Sequence, residues 1–311
     1  MERQSYAIIG SGALGGLYGV MLASAGHEVH FLLHRDFRHV RRHGFKVESI
    51  WGDRHLSAPN IHAAADSMPA CDVTIVALKT TNNHLLRDLL PAPTSGGGVA
   101  LVLQNGLDVE SDTAAVIGAD RTLGGCCFLC SNKVGPGHIR HIDYGRIVFG
   151  EYAKSGQITD RAARIAAEMN AAGIEAKATD DLRSTRWRKL MWNITFNGLS
   201  VVCNASTKDL MDDGVGTELA EAIVREVHAA AAACGVDIPR EAIEMTIDHT
   251  RQMVPYDSSM RLDYLNRRPM EVEAIFGNPL RAAQATGFEA VRIEMLYRQL
   301  KVLDRINSAP R

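Results

Sequence analysis

The sequence lacks the features of several common functional classes. Of its 311 residues 23% are charged and the net charge is −2, so no overall positive field attracts nucleic acid or an anionic membrane. Apart from the glycine-rich N-terminus, no apolar run approaches the length of about 20 residues that spans a membrane. Cys127 and Cys130 form a CxxC, but neither a second pair nor a histidine cluster completes a zinc site. We therefore expect no nucleic-acid partner, no membrane partner and no metal.

The N-terminal apolar stretch, residues 7–26, superficially resembles a secretory signal because it ends in small residues. Its glycines follow a spacing that a nucleotide-binding turn explains better, and only one basic residue, Arg3, precedes it. We therefore expect a soluble, cytoplasmic protein.

Two kinds of pattern divide the chain. In the first part, short apolar runs bounded by turn residues, such as residues 6–9 and 98–103, alternate with helical patterns. This alternation is typical of a doubly wound parallel sheet. From about Asp181 the chain is rich in alanine, leucine and glutamate at helical spacing. The sequence predicts an α/β fold, with an N-terminal Rossmann-type doubly wound parallel sheet in residues 1–180 and an all-α C-terminal domain in residues 181–311.

A glycine-rich turn connects the first predicted strand to the first predicted helix. In its GxGxxG pattern, Gly10 permits a tight turn, Gly12 lets a pyrophosphate approach the backbone, and Gly15 lets helix and strand pack closely. The helix N-terminus offers unpaired N–H groups and a partial positive charge to the phosphates. We predict a dinucleotide site formed by Gly10, Ser11, Gly12, Ala13, Leu14 and Gly15.

The end of the second predicted strand indicates which dinucleotide binds. NAD-specific sites place Asp or Glu there to hold the ribose hydroxyls, whereas this strand ends in the sequence LLHR, residues 32–35. A guanidinium binds a 2′-phosphate that a carboxylate would repel. We therefore predict NADPH as the cofactor and Arg35 as its ligand, with Arg38, Arg41 and Arg42 as supplements. The alternative is a solvated basic loop.

A polar stripe marks the start of the second half. Lys189, Asn193 and Asn197 are spaced at i, i+4 and i+8, which places them on one face of a helix. A lysine near apolar surface can have its pKa lowered, which suits an acid that must release a proton. On spacing alone, an ordinary solvated helix face explains the stripe equally well.

Several segments together resemble the ketopantoate reductase family. In chain order they are GSGALGG at residues 10–16, ALKT around Lys79, the turn Gln104-Asn105-Gly106, PGHIRH followed by GRIVFGE in residues 136–151, WRKLMWNITFN at residues 187–197, and Ser258-Ser259-Met260 ahead of Pro269-Met270-Glu271. Their order across most of the chain is harder to obtain by chance than any single motif. The resemblance implies NADPH-dependent reduction of a 2-keto acid, with 2-dehydropantoate (ketopantoate) as the leading substrate and pantoate as its product.

The resemblance also implies roles for particular residues. Lys189 matches the family's general acid, which protonates the ketone oxygen as hydride arrives from the nicotinamide. Glu271 matches the glutamate that positions this lysine, and Glu273 is the less favoured candidate. Lys79 and Asn105 follow strands whose carboxyl ends bring cofactor and substrate together. The implied substrate-binding residues are Asn193, Asn197, Ser259 and Asn105, and the implied cofactor ligands beyond the glycine-rich turn are Arg35, Lys79 and Asn105.

Departures from the family pattern concern the substrate. Gly198 replaces a proline that often follows the second asparagine, and an expected further asparagine falls on Thr207, although Asn204 is near. Another 2-keto acid or an imine is therefore an alternative substrate. A different alternative is a non-catalytic NADP(H)-sensing protein, and the apolar helical faces leave a homodimer open.

Overall fold

The structure, a computed structural model, describes residues 3–254 and 257–308. The chain forms two compact units, each with its own hydrophobic core. Unit 1 comprises residues 1–104 and 109–182, and unit 2 comprises residues 105–108 and 183–311. The division into domains at residue 180 stays a prediction. Among the helices of the described residues, none is both long enough and apolar enough to cross a bilayer.

Unit 1 contains a ten-stranded mixed sheet. Its strands are β1 (Tyr6–Ile9), β2 (Val29–Leu32), β3 (Phe45–Ser49), β4 (Arg54–Leu56), β5 (Asn60–His62), β6 (Val73–Val76), β7 (Val99–Val102), β8 (Thr122–Gly135), β9 (His138–Glu151) and β10 (Ala176–Ala178). Its helices are α1 (Ala13–Ser24), α2 (Phe37–His43), α3 (Leu86–Leu89), α4 (Glu110–Ile117) and α5 (Asp160–Ala171), with short 3₁₀ segments at Ala65–Ser67, Thr80–Leu85 and Ala119–Arg121.

The strand order is β4-β3-β9-β8-β7-β6-β1-β2-β5, with β10 beside β9. From β8 to β5 all neighbours are parallel, which confirms the predicted α/β fold with parallel strands. The sheet is mixed because β8 pairs antiparallel with β9, and β3 with β4. A short turn can only join antiparallel neighbours, and only two residues separate β8 from β9.

The central strands form where the apolar runs predict them. Every residue of β1 is buried, as expected for a parallel strand that is covered on both faces. Helix α1 ends just before Gly26, whose positive φ of 86° takes the chain out of the helix. Strand β1 lies between β2 and β6, so the chain leaves β1 in one direction across the sheet and later returns on its other side.

Unit 2 is helical. Its elements are α6 (Leu182–Trp192), a π-helical segment π1 (Asn193–Asn197), α7 (Gly198–Val202), α8 (Thr207–Asp212), α9 (Gly214–Ala233), α10 (Glu241–Gln252), α11 (Ser259–Leu265), a second π-helical segment π2 (Glu273–Gly277), α12 (Asn278–Gln284) and α13 (Val291–Ser308). The side chains of Trp187, Phe196 and Phe276 are fully buried in its core. These apolar positions, interleaved with polar ones at helical spacing, explain why this part of the chain packs as helices.

Candidate functional site

The three glycines of the GxGxxG pattern differ in what surrounds them. Gly10 has a φ of +102°, and a Cβ there would lie 2.4 Å from the backbone nitrogen of Leu78. A Cβ at Gly15 would lie 2.4 Å from the carbonyl oxygen of Gly10. At Gly12, by contrast, a Cβ would meet no atom of the described residues within 4 Å. The fold itself therefore requires Gly10 and Gly15, whereas Gly12 borders open space.

The start of α1 suits an anion. Gly12 is the N-cap and has no side chain to occupy the first N–H groups, and the first turn carries no acidic residue. The Ser11 hydroxyl donates a hydrogen bond to the carbonyl oxygen of Leu32 at 3.1 Å, which fastens the turn to the end of β2. Backbone N–H groups near Ala13 and Leu14 remain at the helix start, where a phosphate is favoured. The arrangement fits a dinucleotide.

The segment after β2, residues 33–43, contains four arginines and one acid, and the acid is bound differently from the arginines. Arg35 is exposed, and in the described parts of the chain neither Arg35, Arg38 nor Arg42 takes part in an ion pair. Asp36 is only 7% exposed. Its carboxylate accepts the backbone N–H of Gly137 at 2.9 Å and pairs with the Lys133 ammonium at 2.6 Å. The only acid near Arg35 in this loop is thus already bound elsewhere.

Arg41 differs from the other arginines of this loop. Its guanidinium lies over the ring of Phe37, 5.7 Å from the ring centroid, which is within the range of a cation–π contact. This contact holds the start of α2. Arg35 is the arginine closest in sequence to the end of β2.

The loops after β6 and β7 are tied together by one amide. Gln104 is buried, and its Nε2 donates to the carbonyl oxygen of Leu78 at 2.9 Å and to Oδ1 of Asn83 at 2.7 Å. Lys79 is half-buried at the start of the intervening 3₁₀ segment. The sequence motif includes Gln104 but gives a role only to Asn105. The contacts by which Gln104 holds the Lys79 loop depend on strands that are adjacent only in the sheet.

Asn105 belongs to unit 2. The turn at residues 105–108 is anchored to π2, because the N–H of Leu107 donates to Ala274 at 3.0 Å and Asn278 Nδ2 donates to the Leu107 carbonyl at 2.7 Å. Gly106 has a φ of +118°, and a Cβ there would lie 2.5 Å from the Ala274 carbonyl oxygen. Only glycine allows this approach, so the turn holds half-buried Asn105 beside the segment that follows Glu271.

The polar stripe lies on one continuous helical run, formed by α6, π1 and α7, whose middle segment is π-helical. Lys189 is half-buried near the end of α6, while Asn193 and Asn197 are 4% and 1% exposed at the two ends of π1. The alternative of a solvated helix face does not hold for these asparagines. π-Helical turns are rare and frequently mark functional positions in helices.

Unpaired polar atoms concentrate in the same run. Within the described residues, four buried atoms between positions 187 and 197 lack a hydrogen-bond partner: Trp187 Nε1, Trp192 Nε1, Thr195 Oγ1 and Asn197 Oδ1. Buried polar groups are nearly always paired, because leaving one unpaired costs about 1–3 kcal/mol. The unfavourable free energy of unpaired buried groups is therefore concentrated in the segment where the sequence predicts substrate binding.

The two candidate glutamates have different surroundings. Glu271 is 4% exposed and directly precedes the turn into π2. Glu273 is exposed and accepts hydrogen bonds from Lys301 at 2.8 Å, Tyr297 at 2.8 Å and Arg281 at 3.1 Å. Although partial burial opposes it, these donors lower the pKa of Glu273. Glu273 thus belongs to a surface ion-pair cluster, which favours Glu271.

The two serines ahead of α11 also differ. Ser258 is fully buried, and its Oγ lies 2.8 Å from that of Ser200 and accepts the N–H of Arg261. Ser200 in turn donates to the carbonyl oxygen of Asn197 at 3.2 Å. Ser259 is half-buried at the first position of α11. We call Asn197, Ser200 and Ser258 the hydroxyl relay; it fixes the N-terminus of α11, and hence Ser259, against π1.

The three positions that bear on the departures from the family pattern, Gly198, Asn204 and Thr207, have different surroundings. A Cβ at Gly198 would lie 3.0 Å from Leu296 and 3.2 Å from Phe276, so this glycine permits close packing in the unit 2 core. Asn204 is exposed with a φ of 50°, as is typical of a residue that ends a helix. Thr207 is buried at the start of α8.

The CxxC cysteines lie on β8. Both are buried, and burial, together with the nearby Asp143 carboxylate, raises the pKa of the Cys130 thiol to about 12. A thiol with such a pKa is not a nucleophile at neutral pH.

Comparison with known proteins decides the family. The family model of the ketopantoate reductase PanE/ApbA matches residues 6–154, and the model of its C-terminal region matches residues 181–304. A 2-dehydropantoate 2-reductase of Nostoc sp. is 49% identical over 310 residues, which cover 99% of this chain and 97% of the relative. The chain belongs to the ketopantoate reductase family. Accordingly it is an oxidoreductase, and the family predicted from the motifs is confirmed.

Solved structures agree with this assignment. The crystal structure of 2-dehydropantoate 2-reductase from Geobacter metallireducens GS-15 has a TM-score of 0.93 and 37% identity, covering 96% of this chain and 99% of the other. The enzyme of the same name from Methylococcus capsulatus has a TM-score of 0.86 and 31% identity, with 98% of both chains covered. This ketopantoate reductase family member therefore shares its fold with its relatives over nearly the whole chain.

Proposed function

We propose that the protein reduces a 2-keto acid to the 2-hydroxy acid with NADPH, and that 2-dehydropantoate is the substrate. The observation that carries the proposal is the half-buried Lys189 next to two buried asparagines on a π-helical turn. The names of the 49% and 37% identical relatives support the substrate.

In this proposal Lys189 is the general acid. Its ammonium donates a proton to the carbonyl oxygen of the substrate as that oxygen gains negative charge, and NADPH, when bound, supplies the hydride. Glu271 positions the ammonium and stabilises its charged form. Protonation by a positioned side chain contributes about 10²–10⁴-fold to a rate.

Amide and hydroxyl groups hold the substrate. Asn193 and Asn197 offer N–H donors to its oxygens, and the unpaired Oδ1 of Asn197 offers an acceptor to a substrate hydroxyl. Ser259 donates to the carboxylate, and Asn105 contacts both substrate and cofactor. Because these groups are uncharged, the carboxylate is recognised by directed hydrogen bonds.

The preference for NADPH is assigned to Arg35. Its exposed guanidinium stands one residue before an acid that is bound elsewhere, so a 2′-phosphate meets positive charge. Lys79 and the N–H groups of the glycine-rich turn complete the cofactor ligands. A cytoplasmic location and a homodimer stay predictions from the sequence.

The test is NADPH oxidation by the purified protein with a panel of 2-keto acids that includes 2-dehydropantoate. We expect the highest kcat/KM on 2-dehydropantoate and lower activity with NADH. A preference for another keto acid or an imine would support the proposed reduction by NADPH but contradict 2-dehydropantoate as the substrate. Absence of turnover on every member would contradict the proposal.

A further inference from the structure

Asp36 is the carboxylate closest in sequence to the proposed 2′-phosphate ligand, Arg35. Among the described residues its side chain does not cap α2, although it occupies the N-cap position. Instead it turns toward the hairpin of β8 and β9, about a hundred positions along the chain, where it meets Gly137 and Lys133. The Asp36 side chain is 9% exposed and that of Lys133 is 37% exposed.

The tip of this hairpin is firmly placed against α2. Gly137 has a φ of +62°, and a Cβ there would lie 2.8 Å from Cγ2 of Val40 and 3.0 Å from the carbonyl oxygen of Gly44. Its carbonyl oxygen accepts the N–H of Lys46 at 2.9 Å. Close packing, this backbone hydrogen bond and the bond from the Gly137 N–H to the Asp36 carboxylate therefore fix the position from which Lys133 reaches Asp36.

The ion pair of Asp36 with Lys133 changes the charge that a bound cofactor meets near Arg35. An unpaired carboxylate beside Arg35 would offset the positive charge of the guanidinium and repel a 2′-phosphate. The same carboxylate would be suited to the ribose hydroxyls of NADH. Interactions between charged groups near a protein surface are large enough to change an affinity measurably. Pairing with Lys133 cancels the carboxylate charge, and within the described part of the chain Arg35, Arg38 and Arg42 then have no ion-paired carboxylate.

We propose that Lys133 is a specificity-determining residue that favours NADPH over NADH by acting through Asp36. The inference rests on the proposed use of NADPH. Lys133 itself does not touch the 2′-phosphate; it neutralises the one carboxylate that would oppose phosphate binding and keeps it bound to the hairpin.

The test is a double-mutant cycle on cofactor binding. The dissociation constants of NADPH and NADH are measured by fluorescence titration at fixed ionic strength for the wild type, Lys133→Met, Asp36→Asn and the double variant. Asparagine keeps an oxygen that accepts the Gly137 N–H but carries no charge. The matched control is Lys46→Met, which removes another ion-paired lysine of unit 1, 2.7 Å from Glu48. Lys133→Arg keeps the charge, and thermal midpoints verify that each variant is folded.

We expect Lys133→Met to lower the NADPH preference about tenfold, which corresponds to about 1.4 kcal/mol. Asp36→Asn should keep or raise the preference, and Lys133→Met should have no further effect in the Asp36→Asn background. Lys133→Arg and Lys46→Met should match the wild type.

Two results would overturn the inference. An equal loss in the Asp36→Asn background would show that Lys133 contacts the phosphate itself, and an unchanged preference in folded Lys133→Met would show that it has no part in specificity. A wild type that binds NADH as tightly as NADPH would refute the proposed cofactor, and with it any residue said to set the preference. Because only binding is measured, the identity of the keto acid does not enter.

Discussion

The glycine-rich turn of unit 1 and the π-helical turn of unit 2 present their polar groups in different ways. At Gly12 the first N–H groups of α1 border open space, and a phosphate can reach them without displacing a side chain. At π1 the groups are the side-chain amides of Asn193 and Asn197, almost wholly buried within a helical core.

This difference follows from what each region is proposed to bind. A pyrophosphate needs several donors and close approach, which backbone N–H groups at a helix start provide. A small keto acid must be told apart from similar molecules, which requires side chains held rigidly in a site that excludes water. An atom added at Gly12 would occupy the open space that the phosphate needs without disturbing the fold, whereas the side-chain site depends on the packing behind it.

The strongest test of the unit 2 site is Lys189→Ala. We expect kcat to fall by about 10²–10⁴-fold while the dissociation constant of NADPH stays near the wild-type value, because the lysine acts on the substrate oxygen. The measurement is steady-state kinetics together with cofactor titration. Arg188→Ala, an exposed neighbour on the same helix, is the control and should retain activity. Near-normal turnover of Lys189→Ala would remove this residue from the mechanism.

In unit 1, two glycine variants should distinguish a glycine that the fold requires from a glycine that cofactor binding requires. Gly12→Ala places a methyl group in open space, so we expect an unchanged thermal midpoint but NADPH binding weakened by about tenfold or more, or about 1.4 kcal/mol. Gly10→Ala instead forces a positive φ and a backbone clash, and should lower the free energy of unfolding by about 1–3 kcal/mol.

Thermal unfolding and fluorescence titration of both glycine variants make the comparison. If Gly12→Ala bound NADPH as well as the wild type does, the open space at this turn would not be the phosphate site.

The smallest expected effect concerns the hydroxyl relay. Ser258→Ala leaves the Ser200 hydroxyl without its buried partner and loosens the start of α11, which should cost about 1–3 kcal/mol of stability. Because Ser259 then loses its fixed position, we expect KM for the keto acid to rise by about tenfold with little change in kcat or NADPH affinity.

Asp213→Ala removes a different helix cap of unit 2, which accepts the Gly216 N–H at 2.8 Å, and serves as the control. It should lower stability without raising KM. An equal rise of KM in both variants would mean that Ser258 supports the fold and has no specific link to the substrate.

Much of unit 1 could be predicted because its signals are local. The strand before Gly10, the turn and the helix after it follow from backbone sterics and apolar spacing within about twenty residues. The strands Tyr6–Ile9 and Val99–Val102 fall inside the apolar runs at residues 6–9 and 98–103 that predict them. The sequence does not predict the long hairpin of β8 and β9, because β8 begins with six consecutive buried residues, β9 alternates only in part, and the pairing between them shifts register three times.

The sequence by itself thus determined the family, the α/β and all-α halves, and the placement of the glycine-rich turn between a strand and a helix. Only the tertiary structure decided that Asn193 and Asn197 are buried on a π-helical turn, that Glu273 belongs to a surface cluster, and that Asp36 is bound to Gly137. The physical reason is distance along the chain. Helix, strand and turn depend on near neighbours, whereas burial and charge pairing join residues such as Asp36 and Gly137, which are 101 positions apart.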